Sequence, residues 1–222
     1  MSSLFKYLPD QFVEPFIREG KILFRSLSYF RDYEDAQIRG DEFEGTKLFR
    51  PEPGLEITKT ETGEKLVLPY SLESAANESD IFVFCTSSIL SAELALEFKA
   101  NTCIEILDIS RFLSEIRSAL ARRPSIKDKT LLHGLVNYYS PIDPPIVDWA
   151  LPDRITMSKL NTYAKQNEYR VAFGINGALR VQNTSQRLVP LGDRRHPQLS
   201  QHPENMLKIG NIGKICKIHQ LS

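Results

Sequence analysis

Ile81 to Cys85, IFVFC, is a continuous apolar run with no helical or alternating period. Such a run belongs in a central strand, covered on both faces. The rest of the chain must therefore supply a sheet around it and layers to cover it.

The flanking sequence supplies both. Leu4 to Leu8 reads as a short strand. Phe12, Val13, Phe16 and Ile17 recur at helical spacing, with Gly20 as the stop and Pro15 splitting the stretch. Lys21 to Leu27 alternates as a second strand. Ser88 or Ser91 caps a helix to about Lys99, Thr102 to Leu107 is a strand, and Ser110 starts a helix to about Arg122. Residues 28–50 read as a charged loop with helical turns, and 70–80 as a polar connector. Leu55–Thr60 and Glu64–Leu68 form a hairpin. Further on, Leu131–Tyr139 contains a strand, and Thr156 caps a helix running towards Lys165. Glu168–Ile175 pairs with Ala178–Gln182 across Asn176-Gly177. Residues 183–204 are a loop. Met206–Ile209 and Lys214–Ile218 close the chain as a hairpin around Gly210 and Gly213. Strand–helix units give way to paired strands, so the expected class is α+β, in a single domain over 1–222.

With 41% hydrophobic and 25% charged residues, a packed core is expected rather than disorder. The three cysteines, Cys85, Cys103 and Cys216, are odd in number and lack C-x-x-C spacing, which argues against a disulfide framework or a zinc site. The opening residues lack a signal-peptide pattern, and no apolar run approaches the ~18 residues of a membrane span. The expectation is a cytoplasmic protein. Residues 1–110 hold 11 Lys/Arg against 20 Asp/Glu, and residues 111–222 hold 17 against 8, so opposite balances of nine charges cancel. The split marks a polyanion-binding face, an electrostatic clamp between the two halves, or charges that simply mix in three dimensions.

The common catalytic signatures are absent: no G-x-G-x-x-G, no P-loop, no H-E-x-x-H and no G-x-S-x-G. His133, His196, His202 and His219 have no ligand spacing, and no metal is expected. Three segments remain. One is the opening unit with Lys6-Tyr7, Gly20 and KILFRSL. The second is Tyr29 to Gly45, which mixes Arg31, Asp32, Glu34, Asp35, Arg39, Asp41, Glu42 and Glu44 with Tyr29, Phe30, Tyr33 and Phe43. The third is Gln166-Asn167-Glu168-Tyr169-Arg170 at the mouth of a strand.

These segments together resemble an uncharacterised bacterial group linked to toxins and phage defence. The matching stretches are SLFKYL…FIREGKILFRSLSYFRDYED, FVFCTSS…CIEI and KQNEYRVAF. The same layout is similar to the ADP-ribosyltransferase toxins, including the DarT-like and RNA-modifying ones. That superfamily has an early strand with an NAD-contacting residue, a helix, a second strand and a late strand opening with Q/E-x-E. Gln166-x-Glu168 matches the last motif as it stands. The first strand departs from it, showing Lys6-Tyr7 rather than an Arg or His-Gly.

The resemblance implies a split β-sandwich with flanking helices and NAD as the substrate that donates ADP-ribose. Glu168 would be the catalytic carboxylate, stabilising the oxocarbenium-like ribose, and Gln166 would orient the acceptor. An arginine, among Arg25, Arg31 and Arg39, would grip the pyrophosphate. Ser26 would lie in the same cofactor-binding segment. Tyr7, Tyr29 and Phe30 would line or stack on nicotinamide, ordinary core packing being the other reading of these rings. A nucleic-acid acceptor is favoured over protein, met by Arg122, Arg123, Lys127, Lys129, Arg194 and Arg195. A toxin further implies a restraining antitoxin or inhibitor protein. Two other readings stay open: a metal-dependent nuclease using Glu34, Asp35, Asp41 and Glu44, and a non-catalytic nucleic-acid- or protein-binding module.

Overall fold

The computed structural model describes residues 2–32, 42–127, 129–193 and 202–221. In chain order the elements are β1 (Leu4–Leu8), α1 (Val13–Glu19), β2 (Lys21–Ser26), α2 (Leu27–Arg31), β3 (Thr46–Phe49), β4 (Leu55–Thr58), β5 (Lys65–Leu68) and β6 (Tyr70–Ala75). Then come β7 (Ile81–Ser87), α3 (Ala92–Glu97), β8 (Thr102–Ile106), α4 (Ile109–Ala121), β9 (Leu132–Leu135) and β10 (Asn137–Tyr139). The last are α5 (Pro152–Thr156), β11 (Ser158–Leu160), β12 (Glu168–Gly174), β13 (Ser185–Pro190), β14 (Glu204–Lys208) and β15 (Cys216–Gln220).

The apolar run becomes β7, the centre of an eight-stranded antiparallel sheet in a mixed α+β architecture. One edge of β7 pairs with β12 from Ile81 opposite Gly174 to Ser87 opposite Glu168. The other edge is shared. Arg25 and Ser26 of β2 face Val83 and Phe82, whereas Phe5 of β1 faces Ser87. The sheet therefore forks, into β2–β14 at one end of β7 and β1–β8–β15 at the other. At the fork the Cys85 carbonyl accepts a hydrogen bond from the Lys6 ammonium at 2.8 Å, which satisfies a main-chain acceptor between the two branches. That ammonium lies 4.5 Å from the centre of the Phe84 ring.

One face of the sheet carries the main apolar core. Phe84, Val171, Phe173 and Phe24 pack there with Phe16 of α1 and Phe112, Leu113 and Ile116 of α4. Gly20 ends α1 in a left-handed conformation, and a Cβ at this position would fall 2.2 Å from the Gly210 carbonyl oxygen, so only glycine fits. Pro15 sits in the first turn of α1, where its missing N–H costs nothing, and the split falls just before, at a 3-10 turn over Asp10–Phe12. The opposite face is covered by α2, α5 and the chain after β6, through Leu27, Ile155 and Ala76. A three-stranded sheet, β13–β6–β3, and the parallel pair β10–β11 complete this side.

Several expectations from sequence are corrected. Residues 70–75 are strand β6 rather than connector, held by pairing with both β3 and β13. Helix α4 is capped by the Asp108 side chain, which accepts from the Arg111 amide at 2.9 Å, not by Ser110. Thr156 ends α5 instead of starting a helix, its hydroxyl donating back to the Pro152 carbonyl at 2.7 Å. Beyond Asn176-Gly177 the chain makes turns, so β12 pairs with β7 and β9 and not with 178–182. The two last strands form no hairpin: β14 pairs with β2 and β15 with β8, on separate branches.

Candidate active site

Every residue of β12 is buried. A strand alternates its side chains, so Tyr169, Val171 and Phe173 enter the apolar core while Glu168, Arg170 and Ala172 face the other way. Two ionisable residues are thus fixed side by side on one face, opposite Ser87 and Cys85. They are not alone there. Lys159 of β11 and Glu44, on the turn before β3, complete a cluster in which all four side chains are at most 5% exposed.

The guanidinium of Arg170 organises it. Its Nε donates to Glu168 Oε1 at 2.7 Å. Nη1 and Nη2 donate to the two oxygens of Glu44 at 2.7 and 3.1 Å, and Nη1 also reaches the Thr156 carbonyl at 2.6 Å. The Lys159 ammonium donates to Glu168 Oε2 at 3.2 Å and to Gln166 Oε1 at 3.0 Å, and stands 4.0 Å from Glu44 Oε2. Two carboxylates face two cations, which is how buried charge is tolerated.

The backbone around the Q-x-E sequence explains why both side chains reach one ammonium. Residues Asn161–Gln166 form a 3-10 turn, and Asn167 adopts a left-handed conformation at φ 44°. The strand then starts at Glu168, whose amide donates to the Tyr138 hydroxyl at 2.9 Å. The end of β7 clamps the same turn. Ser87 Oγ donates to the Gln166 carbonyl at 2.9 Å and the Ser88 amide to the Asn167 carbonyl at 2.8 Å. The stretch Cys85-Thr86-Ser87-Ser88 thus acts through hydroxyls and main chain, Thr86 Oγ1 also bonding the Tyr169 carbonyl at 3.0 Å.

Burial alone would push the Glu168 carboxyl up. The adjacent Arg170 and Lys159 charges outweigh it and hold the group well below the usual carboxylate range. Burial works against the charge of Arg170 too, but Glu168 and Glu44 raise its affinity for the proton. Cys85 lies beside them as a thiol, pushed up to about 12 by burial and then by the Glu168 charge. Glu168 is therefore a fixed anion, and Cys85 is not a thiolate nucleophile.

The other expected site residues are distributed as follows. Tyr7 is a core residue packed with Leu94, Ala95, Ala100 and Cys103, its hydroxyl donating to the Ile89 carbonyl and accepting from the Ser91 amide. Arg25 pairs with Glu204 and lies 4.5 Å from the Tyr29 ring centre. Ser26 caps α2. Tyr29 meets Phe30 edge to face at 5.3 Å. Arg31 pairs with Asp32 and Glu78. Arg39, Glu34, Asp35 and Asp41 lie outside the described residues, as do Arg194 and Arg195. Ser26 is level with Phe82 and Glu168 with Ser87, five positions along β7, so the two sets stand roughly 17 Å apart. They share a face nonetheless, since Phe30 packs into the cluster of Leu27, Val83 and Ala172 that Cys85 also adjoins.

Sequence reasoning singled out Glu168 and Gln166 and missed Lys159. Arg170 lies in the same motif with no role of its own in the sequence, and Glu44 is an expected metal ligand in the nuclease reading. Arg170 was readable, because two residues along a strand is the same face. Both oxygens of Glu44 are instead engaged by Arg170. Among the described residues no group of three or more His, Cys, Asp and Glu is placed to hold a metal. On the apolar face's side, Arg122, Arg123 and Lys208 line a cleft of about 520 Å³ with Glu204, Asn205 and Met206. Lys129 binds the carbonyls of Leu120 and Arg123 at the end of α4. No described helix is long and apolar enough to cross a membrane. Comparison with family models, with curated proteins and with solved structures finds no match to this chain.

Proposed function

We propose that the chain is an NAD-dependent ADP-ribosyltransferase, with Glu168 as the carboxylate that stabilises the reacting ribose. The observation that carries this reading is the convergence of Gln166 and Glu168 on one ammonium, with Glu168 ionised and locked at the start of a buried strand. Cleaving the nicotinamide–ribose bond places positive charge on the ribose. A fixed anion beside it gains most in the transition state, and one held in place by Arg170 and Lys159 need not reorganise. Gln166, positioned by the same lysine, would orient the acceptor. The forked sheet with a second sheet over one face is compatible with the split β-sandwich of that superfamily.

The acceptor we favour is nucleic acid. Arg122, Arg123 and Lys208 line one cleft and suit phosphate contacts, on the opposite side of the sheet from Glu168, so they would hold a nucleic acid at a distance from the reacting ribose. A cytoplasmic toxin held in check by an inhibitor protein fits this activity. The test is incubation with NAD labelled on its adenylate, together with RNA, DNA or cell lysate. Label transferred to one of these supports the reading. Labelled NAD left intact, with nucleic acid cut only when Mg²⁺ is added, overturns it in favour of a nuclease.

A further inference from the structure

Glu44 occupies Arg170 as an anionic ligand would. Its two oxygens meet both terminal nitrogens of the guanidinium, 2.7 and 3.1 Å away, and its Oε2 is 4.0 Å from the Lys159 ammonium. This forked, two-point geometry is the one by which arginine grips carboxylate and phosphate alike. The charges are equal in number, two carboxylates against two cations. Without Glu44 the cluster would keep one carboxylate, Glu168, beside a guanidinium and an ammonium. That is an excess of one positive charge next to a fixed anion.

The four members differ in how they are held. Glu168, Arg170 and Lys159 stand on strands. Glu44 stands on a turn that ends at Gly45, φ 76°, and is tied by the Thr46 amide to the Phe43 carbonyl at 2.8 Å. Glu44 lies outside the β3–β6 ladder, which begins at Thr46 opposite Ala75, while the neighbouring Gly45 carbonyl accepts from the Ala76 amide at 3.0 Å. From these relationships we infer that Arg170 and Lys159 form the binding site for the diphosphate of a dinucleotide, and that Glu44 fills this site as an internal stand-in until the ligand displaces it. The choice of a dinucleotide rests on the transferase reading; the geometry does not. The site would place a diphosphate beside Glu168, within one residue's reach of the ribose that Glu168 is to contact. It also explains how a carboxylate now 5% exposed gains access to substrate.

The test is calorimetric binding of inorganic diphosphate and of NAD to the wild type and to Glu44→Gln. Removing the competing charge should tighten both by at least about tenfold. Adding Arg170→Lys, which loses the fork, should cancel the gain. A folded Glu44→Gln protein that binds diphosphate no better than wild type overturns the inference. If that variant does not fold, hydrogen exchange of the wild type decides. Saturating diphosphate should speed exchange at the amides of residues 44–46 and slow it at 168–170, and unchanged exchange overturns the inference. Tighter diphosphate binding without label transfer from NAD would sink the transferase reading and leave the site standing. Label transfer with no gain in Glu44→Gln would do the reverse.

Discussion

Lys159 couples Gln166 to Glu168, donating 3.0 Å to the side-chain carbonyl of the first and 3.2 Å to the carboxylate of the second. The spacing of the Q-x-E sequence puts both residues near the start of β12, but their common orientation depends on an ammonium delivered by β11. That strand is itself positioned by parallel pairing with β10, Tyr138 opposite Lys159. Local sequence and tertiary packing thus both act on one carboxylate.

Lys159→Met keeps the length and apolar stem of the side chain and removes its charge. Glu168 and Gln166 would lose a buried partner together. Breaking one side of a buried ion pair costs on the order of 3 kcal/mol. Denaturant unfolding should show a loss of that size, whereas a surface pair such as Lys65–Glu56 should contribute under ~1 kcal/mol. A Lys159→Met protein as stable as wild type would mean that the cluster is not a buried network.

The cluster also sets a direction for acid. The Glu168 carboxyl is raised by burial but lowered further by Arg170 and Lys159, and lies below the ~4.3 of an unfolded glutamate. The folded state therefore binds this proton less readily than the unfolded chain. Its contribution to stability is complete above pH ~4.3 and drains away as pH falls through the folded value. Unfolding free energy measured from pH 6 downward should drop more steeply for wild type than for Glu168→Gln. Equal slopes would show that other groups govern acid unfolding.

Tyr7 belongs to the core formed by Leu94, Ala95, Ala100 and Cys103. Its hydroxyl bridges the Ile89 carbonyl at 2.8 Å and the Ser91 amide at 2.7 Å, which shapes the entry to α3. Tyr7→Phe leaves two main-chain groups without this partner, at a cost of about 1–3 kcal/mol. NAD consumption per folded molecule should be unchanged. A loss of activity at full stability would return Tyr7 to the nicotinamide slot.

The central strand and the start of the site were legible for simple reasons. IFVFC is apolar on both faces, and EYRVAFG alternates behind a Q-x-E. Strand β6 was not legible, because YSLESA carries Ser71, Glu73 and Ser74, polar residues that are nevertheless buried. Ser71 is tolerated there by bonding the Val189 carbonyl at 3.1 Å, a partner 118 residues away. The closing strands looked like a hairpin because glycines separate two apolar runs. In fact Ile212 and Ile215 between them are core residues that carry the chain from one branch of the forked sheet to the other. Lys159 and Glu44 had no signal of their own, since only packing brings β11 and the turn before β3 against β12.

Glu168→Gln is the decisive substitution. It keeps the shape but offers one acceptor oxygen in place of two, so it can accept from Arg170 Nε or from Lys159 Nζ but not from both, and it removes a negative charge from a buried set of four. Stability should fall by roughly 2–4 kcal/mol, because Arg170 and Lys159 are then balanced by Glu44 alone. That effect occurs whether or not Glu168 is catalytic, so it does not decide the question. The rate does. A preorganised carboxylate facing a developing cation typically contributes on the order of 10²–10³ in turnover. NAD affinity should change far less, since the ribose carries little extra charge before its bond breaks. The measurement is single-turnover cleavage of NAD at a temperature where circular dichroism shows both proteins folded. The expected variant is folded, binds NAD and is nearly inert. If it cleaves NAD at close to the wild-type rate, Glu168 is a structural member of an ion-pair network, and the catalytic reading of the Q-x-E sequence falls with it.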